Sequence, residues 1–355
     1  MRSGNSMSLL ERDDHGANCQ HCNNQTTVLI TGGTGSFGTA FTRYLTRENL
    51  CKRVIIYSRD ERKQAEMMER IRSRKVDYFI GDVRDYDRLR WALESGPDLV
   101  IHAAAMKRVE ASEYNPLETV KTNVDGAANL IRAAQYANVQ RVIALSTDKA
   151  VNPVNLYGST KLTSEKLFIR GNLGHRTAFS CVRWGNVFGS RGSVIERVAR
   201  WRRAGKVGIT DPKMTRFWIR LEDVVKFVLV VERLMKGGEI FIPHLPAASI
   251  SRIANVLVPN STRIHLGARP GEKIHERLIA EGEERLAKVL GDECPTESRT
   301  GGYIIEPDDP QWEYVPHNFR AVDSGFEYRS DTWSLRMTDA EIADWYNEWE
   351  SARES

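Results

Sequence analysis

The sequence predicts an α/β protein: a doubly wound parallel sheet with a smaller C-terminal lobe. Three observations carry this. Short apolar, β-branched runs alternate with amphipathic segments through the first half of the chain; a glycine triplet follows the first run directly; and after about residue 188 Pro and Gly punctuate shorter elements. The chain has 355 residues, 41% of them hydrophobic, enough to bury a large core in one or two globular domains.

In chain order, residues 1–26 mix charges, Asn and Gly without an apolar stretch, and read as a flexible extension and not as a signal peptide. Cys19 and Cys22 form a CxxC there, but no second pair stands at zinc spacing, so no metal site is expected. The runs VLIT (28–31), VIIYS (54–58), DYFIGD (77–82), DLVIHAAA (98–105) and RVIALST (141–147) read as five strands of βαβ units. Between the last two, residues 115–138 carry apolar side chains at helical spacing and predict one long helix begun by Asn115-Pro116. FSCVRWGNVFG (179–189) predicts a sixth strand. The expected organisation is a cofactor domain over 27–187, with some later segments crossing back, a second lobe over 188–285, and a C-terminal extension over 286–355 without an assigned role.

Bulk charge excludes more than it suggests. A formal net charge of +4 is too slight and too evenly spread for a nucleic-acid partner. No apolar run approaches the ~20 residues that span a bilayer. Five scattered cysteines, an odd number, argue for a reducing compartment, so a cytoplasmic protein is expected.

TGGTGSFG (31–38) lies between the first strand and the first helix. Glycines at 32, 35 and 38 permit a tight turn, close approach of backbone N–H groups to a pyrophosphate and close helix packing, which makes the sheet Rossmann-type and the loop a dinucleotide site. Where an acidic residue would hold the ribose of NAD, the second strand ends in YSRDERK, with Ser58, Arg59 and Lys63. A hydroxyl followed by cations suits a 2′-phosphate, so NADP is expected over NAD. The plain alternative is a solvated helix start capped by Asp60. Asp82 is placed for the adenine edge, and Ala103, Ala104 and Ala105 are small enough to let backbone lie against the cofactor.

Tyr157 and Lys161 form a YxxxK pair one helical turn apart, so both side chains reach one point. An ammonium beside a phenol favours phenolate, which can take a hydroxyl proton. The preceding STDKA adds Thr147, Asp148 and Lys149 at the carboxyl edge of the fifth strand. These read as further acid–base equipment, against the plainer reading of a capped turn beside a solvated lysine.

With TGGTGSFG, SRDERKQAEM, HAAAMKRVEASEYNPLETVKTNV, STDKAVNPVNLYGSTK, VRWGNVFGSRGSV, MTRFWI and RPGEKIHE, the chain resembles the inverting UDP-N-acetylglucosamine 4,6-dehydratases, extended short-chain dehydrogenases/reductases of the polysaccharide biosynthesis type, from about residue 27 to 280. The resemblance implies that Tyr157, helped by Lys161, removes the C4 hydroxyl proton while NADP+ takes the C4 hydride. Lys149 then removes the C5 proton, Asp148 protonates the departing C6 hydroxyl, hydride returns to C6, and reprotonation of C5 from the opposite face inverts it. Thr147 would hydrogen-bond the C4 oxygen. Lys149 can serve as base only with a lowered pKa, so a crowded cationic pocket is expected around it.

The same resemblance implies that Thr34, Ser36, Phe37, Val83, Lys107 and Asn123 also line the cofactor site. For the UDP-sugar it implies Lys107, Asn186, Arg191, Val194, Thr215, Arg216, Arg269 and Glu272, with the arginines on the diphosphate and Glu272 on the ribose. A homo-oligomer, from dimer to hexamer, is implied as well. His275 and Glu276 lack the spacing of a metal motif and read as part of a solvated helix. Trp184 stands where the family pattern has Tyr, beside the cofactor. Three rivals are a dehydratase that stops at a 5,6-unsaturated sugar, a 4-epimerase, and a non-catalytic NADP-binding protein, which would have no use for Asp148, Lys149, Tyr157 and Lys161 together.

Overall fold

The computed structural model describes residues 25–174, 176–267, 269–291, 301–309 and 311–354; Cys19, Cys22 and Cys294 lie outside them. The apolar runs become strands because β-branched side chains fit a pleated, doubly covered surface. The first half runs β1 (Thr27–Thr31), α1 (Ser36–Arg47), β2 (Arg53–Ser58), α2 (Glu61–Arg70), β3 (Val76–Ile80), α3 (Tyr86–Leu93), β4 (Leu99–His102), α4 (Val109–Tyr114), α5 (Pro116–Val120), α6 (Gly126–Tyr136), β5 (Arg141–Leu145), α7 (Leu156–Arg170) and β6 (Ala178–Val182). These strands pair in parallel in the order β3-β2-β1-β4-β5-β6. The order reverses between β1 and β4, which opens a crevice at their carboxyl ends.

The helices start where their caps dictate. Asp60 accepts the Lys63 N–H (3.0 Å), Asp85 the Arg88 N–H (2.9 Å) and Asn155 the Gly158 N–H (2.8 Å), each satisfying an otherwise orphan donor. The long helix expected over 115–138 is interrupted: Lys121–Asp125 forms a π turn between α5 and α6. That wider turn rotates Asn123 inward, where it is buried.

The second half runs β7 (Asn186–Val187), α8 (Val198–Ala204), β8 (Lys206–Ile209), β9 (Thr215–Ile219), α9 (Leu221–Leu234), β10 (Ile240–Pro243), β11 (Ala247–Ser249), α10 (Ile250–Leu257), β12 (Thr262–His265), β13 (Ala287–Leu290), β14 (Gly302–Ile305) and α11 (Asp339–Glu354). The sixth strand expected over 179–189 divides between two sheets. β6 ends at Val182, the Trp184 carbonyl accepts the Asp148 N–H (2.9 Å), and from Asn186 the backbone pairs with β9 instead. Later chain crosses back: β10 lies parallel to β6, β14 antiparallel to β10, and β13 antiparallel to β14, so the main sheet has nine strands. The stretch from 286, which the sequence leaves without a role, thus supplies the sheet's far edge.

Two apolar cores result. One fills both faces of the main sheet, with Leu29, Ile30, Val100, Ile101, Val142 and Ile143 at no more than 0% exposure. The other gathers Trp201, Trp218, Ile253, Met337 and Tyr346, so α11 closes the second lobe. Cys51 and Cys181 are buried and unbridged.

A buried ionic knot lies beside the main sheet. Arg183, immediately after β6, donates to Glu165 Oε2 on α7 (2.8 Å), to Glu283 Oε2 (2.7 Å) and to the Leu278 carbonyl (2.8 Å). Burial disfavours its charge, but both carboxylates outweigh that and raise its pKa further. Replacement Arg183→Leu strands two carboxylates and is expected to cost about 3–5 kcal/mol, read as a lowered denaturant midpoint.

Candidate active site

The glycine loop sits at the crevice between β1 and β4. Gly32 has φ +65°, and a Cβ there would lie 2.8 Å from the Ala104 Cα; one at Gly38 would lie 2.3 Å from the Gly33 carbonyl oxygen. Only glycine leaves this cradle open. Gly35 is the extended residue before α1, so the first-turn N–H groups point out of the helix end, where an anion is favoured. Behind them Phe37 stacks on Phe41 (5.2 Å between centroids), and Trp184 lies 6.1 Å from Phe37, beside the loop as expected.

Around that cradle the expected cofactor residues converge. The Ser58 oxygens accept from Gln64 Nε2 (3.0 and 3.1 Å). Arg59 is exposed, 3.5 Å from the Asp82 carboxylate. The Lys63 ammonium lies 2.6 Å from Asp60, which therefore both caps α2 and holds this lysine. Burial pushes Asp82 up, but Arg84 and Arg59 prevail and hold its carboxyl below the usual range. Val83 is buried, Ala103 and Ala104 are half-buried, and Ala105 is exposed. Asn123 Oδ1 accepts the Met106 N–H (2.8 Å), while its Nδ2 donates to the Met106 carbonyl and to Thr160 Oγ1 (both 3.0 Å), tying the loop after β4 to α7.

The reaction segment lies next to the cradle. Asp148–Ala150 makes one tight turn after β5, begun by Thr147. Asp148 is fully buried; its Oδ1 accepts from Thr147 Oγ1 and from Lys149 Nζ, each at 2.9 Å, and its Oδ2 has no partner among the described residues. Lys149 also donates to Asn186 Oδ1 (3.3 Å) and lies 3.7 Å from Glu276. Tyr157 and Lys161 open α7, 8% and 4% exposed.

The electrostatics correct one expectation. Burial lowers the Lys149 pKa and Arg216 adds to that, but the Asp148 and Glu276 carboxylates outweigh both and hold the ammonium above its ordinary value. Around Lys149 the carboxylates of Asp148 and Glu276 stand among the cations Arg216 and Lys273, so the pocket is mixed in charge and not the cationic one expected. Burial pushes Tyr157 up to about 12, while Lys149 and the Thr147 hydroxyl pull it down. Lys161 is lowered by burial, with Cys181 and Glu165 opposing.

Several residues expected on the UDP-sugar stand elsewhere. Arg191 lies across the glycine loop, donating to the Thr34 carbonyl (2.5 Å) and Ser36 Oγ (3.4 Å), because the 190s segment folds back over α1. Arg216 donates to the carbonyls of Thr215, Ile274 and Lys273 and to Met214 Sδ, which braces β9. The Thr215 hydroxyl meets His275 Nδ1 (2.8 Å) and Ser330 Oγ (2.7 Å). Val194 starts a short turn against the second core. Lys107 is exposed near Arg108 and Arg191. Arg269 is exposed, and Glu272 Oε2 is buried without a partner among the described residues. Glu276 is no part of a solvated helix: it is 2% exposed in irregular chain and faces Lys149.

The family model for polysaccharide biosynthesis proteins matches residues 28–294. The chain belongs to that family. This branch of the extended short-chain dehydrogenases/reductases is the one its motifs resemble. Among curated members, it is 45% identical over 329 residues to the UDP-N-acetylglucosamine 4,6-dehydratase (inverting) of Campylobacter jejuni strain 81-176, covering 91% of this chain and 98% of the relative. It is 42% identical over 277 residues to a UDP-glucose 4-epimerase of Rickettsia bellii strain RML369-C, covering 75% and 81%. Among solved structures it superposes on Pen from Bacillus thuringiensis with a TM-score of 0.81 at 34% identity, covering 92% and 98%. The expected α/β architecture is borne out in this family's Rossmann-type sheet. Among the described residues no helix is long and apolar enough to cross a membrane, and no group of His, Cys, Asp and Glu is arranged for a metal.

Proposed function

We propose that this chain catalyses the NADP-dependent, 5-inverting 4,6-dehydration of UDP-N-acetylglucosamine to UDP-2-acetamido-2,6-dideoxy-β-L-arabino-hex-4-ulose. One observation carries the reading: buried Asp148 pairs at 2.9 Å with half-buried Lys149 beside Tyr157, so two acid–base sets serve one sugar. The Campylobacter relative's name supports it.

The open cradle at Gly32 and Gly38 fits a dinucleotide, with the N–H groups at the start of α1 on its pyrophosphate. Arg59 and Lys63 supply the cations a 2′-phosphate needs, and Asp60 is occupied as a cap, which supports NADP over NAD. When bound, the nicotinamide accepts hydride from C4 and later returns it to C6. Tyr157 takes the C4 hydroxyl proton, and the ketone so formed acidifies C5.

The resting pair holds its proton on the wrong partner for elimination. One transfer across the 2.9 Å bond gives a Lys149 amine and an Asp148 acid, and a closed, dry site favours that neutral form. The amine then takes the C5 proton while Asp148 gives its proton to the leaving C6 hydroxyl. Water departs with the pair's original proton, and the pair returns to ammonium and carboxylate. As hydride returns to C6, C5 takes a solvent-derived proton on the other face, which gives inversion.

The Rickettsia relatives favour a second reading, C4 epimerisation. Incubation with UDP-N-acetylglucosamine in D2O, followed by proton NMR, separates the two. A new C6 methyl signal with deuterium at C5 is expected. Recovery of the C4 epimer alone overturns the dehydratase reading, and a vinylic pair shows arrest before hydride return.

A further inference from the structure

Glu276 is a buried carboxylate of this site that the proposed steps leave unused. Its backbone is fixed on both sides: its N–H donates to Ser330 Oγ and its carbonyl accepts the Ser330 N–H, each at 2.9 Å. Its Oε1 lies 3.7 Å from Lys149 Nζ and 3.7 Å from Arg216 Nε, and its Oε2 lies 3.4 Å from Lys273 Nζ. The same Oε2 is buried and has no hydrogen-bond partner among the described residues.

The neighbours hold this carboxylate in place without saturating it. Arg216 is braced on backbone carbonyls, and Lys273 donates to the carbonyls of Asp148 and Val151, so both cations are anchored. The charged and titratable groups facing Lys149 are Asp148 on its own turn, Glu276, Arg216 on β9 and Tyr157 on α7.

We infer that Glu276 is a positioning residue, which aims Lys149 from behind and stabilises the ammonium formed as Lys149 takes the C5 proton. This rests on the proposed role of Lys149 as base. During elimination Lys149 passes from amine to ammonium, so an anion behind it favours the end of that step over its start. Measured from the neutral form of the Asp148–Lys149 pair, an interaction stronger after the C5 proton is taken than before it lowers the barrier of that transfer. The arrangement follows the same logic as the buried carboxylate that orients a catalytic histidine and stabilises its charged form.

The test is Glu276→Gln in the full chain, with UDP-N-acetylglucosamine and NADP+. Solvent deuterium at C5 reports the second step, and the absorbance of reduced nicotinamide in a single turnover reports the first. The C5 step is expected to slow by roughly 10- to 100-fold, with C4 oxidation and KM close to those of the unmodified chain. Loss of a neighbouring anion weakens the hold of Lys149 on its proton, so the pH profile of the C5 step shifts to lower pH. Glu276→Asp, which keeps the charge farther from Lys149, is expected to fall between the two and serves if the Gln variant does not fold. Both steps slowing together, an unshifted pH profile, or an Asp variant equal to the unmodified chain would overturn the inference. Lys149→Ala separates the failures. If C5 exchange survives it, the base assignment itself is wrong; if that exchange is lost there but runs at the unmodified rate in Glu276→Gln, only the role of Glu276 is wrong.

Discussion

Lys149→Ala is expected to hold the reaction at the 4-ketone, with formation of the 6-deoxy sugar down by about 10²- to 10⁴-fold and C4 oxidation still measurable. The distinction arises because Lys149 lies beside Asp148 and not beside Lys161, so its loss removes the second acid–base set and leaves the first. Removing it also takes away a cation that lowers the Tyr157 pKa, which stands at about 12 because burial outweighs that pull. The phenol then holds its proton more tightly, and the pH profile of C4 oxidation moves to more alkaline values. Single-turnover formation of reduced nicotinamide, followed across pH, reads both effects. Equal loss of both half-reactions, or deuterium still entering C5, would remove Lys149 from the base role.

Tyr157→Phe is expected to act one step earlier and more completely. Without the phenol there is no acceptor for the C4 hydroxyl proton, so oxidation falls by at least about 10²-fold. C5 exchange falls with it, since that proton is acidic only beside a ketone. The ring still fills its buried place at the start of α7, so stability should change by no more than about 1–1.5 kcal/mol, the worth of one hydrogen bond. In the unmodified chain the phenol is protonated at neutral pH, so C4 oxidation should quicken as pH rises toward the phenol's own value. A Phe variant that still exchanged C5 with solvent would show that another group opens the reaction.

What the sequence made legible is what lies close together along it. The strand–glycine–helix order, the helix caps and the Asp148, Lys149, Tyr157 and Lys161 cluster all sit within single βαβ units, where spacing fixes geometry. Contacts between distant segments were not legible. Glu276 reaches Lys149 only because the 273–276 chain folds against the turn after β5, and no local pattern marks that approach. Hence the carboxylate facing Lys149 was missing from the expected pocket. Arg216 read as a ligand because a guanidinium beside an aromatic suits a diphosphate, and its bonds to the backbone carbonyls of a neighbouring segment left no local mark. Likewise β13 and β14 lie in charged, irregular sequence, and only the pairing of β14 with β10 and of β13 with β14 makes them strands.

That late pairing sets the order in which the molecule can be completed as it leaves the ribosome. Six strands, β1 to β6, come from residues 27–182 and can zip together early. The outer edge of β6 must then wait for β10 at 240–243, and β10 in turn for β14 at 302–305. Throughout that interval the nascent sheet offers unpaired N–H and C=O groups to any passing strand, the state in which a growing chain is most open to misassociation and most in need of shielding.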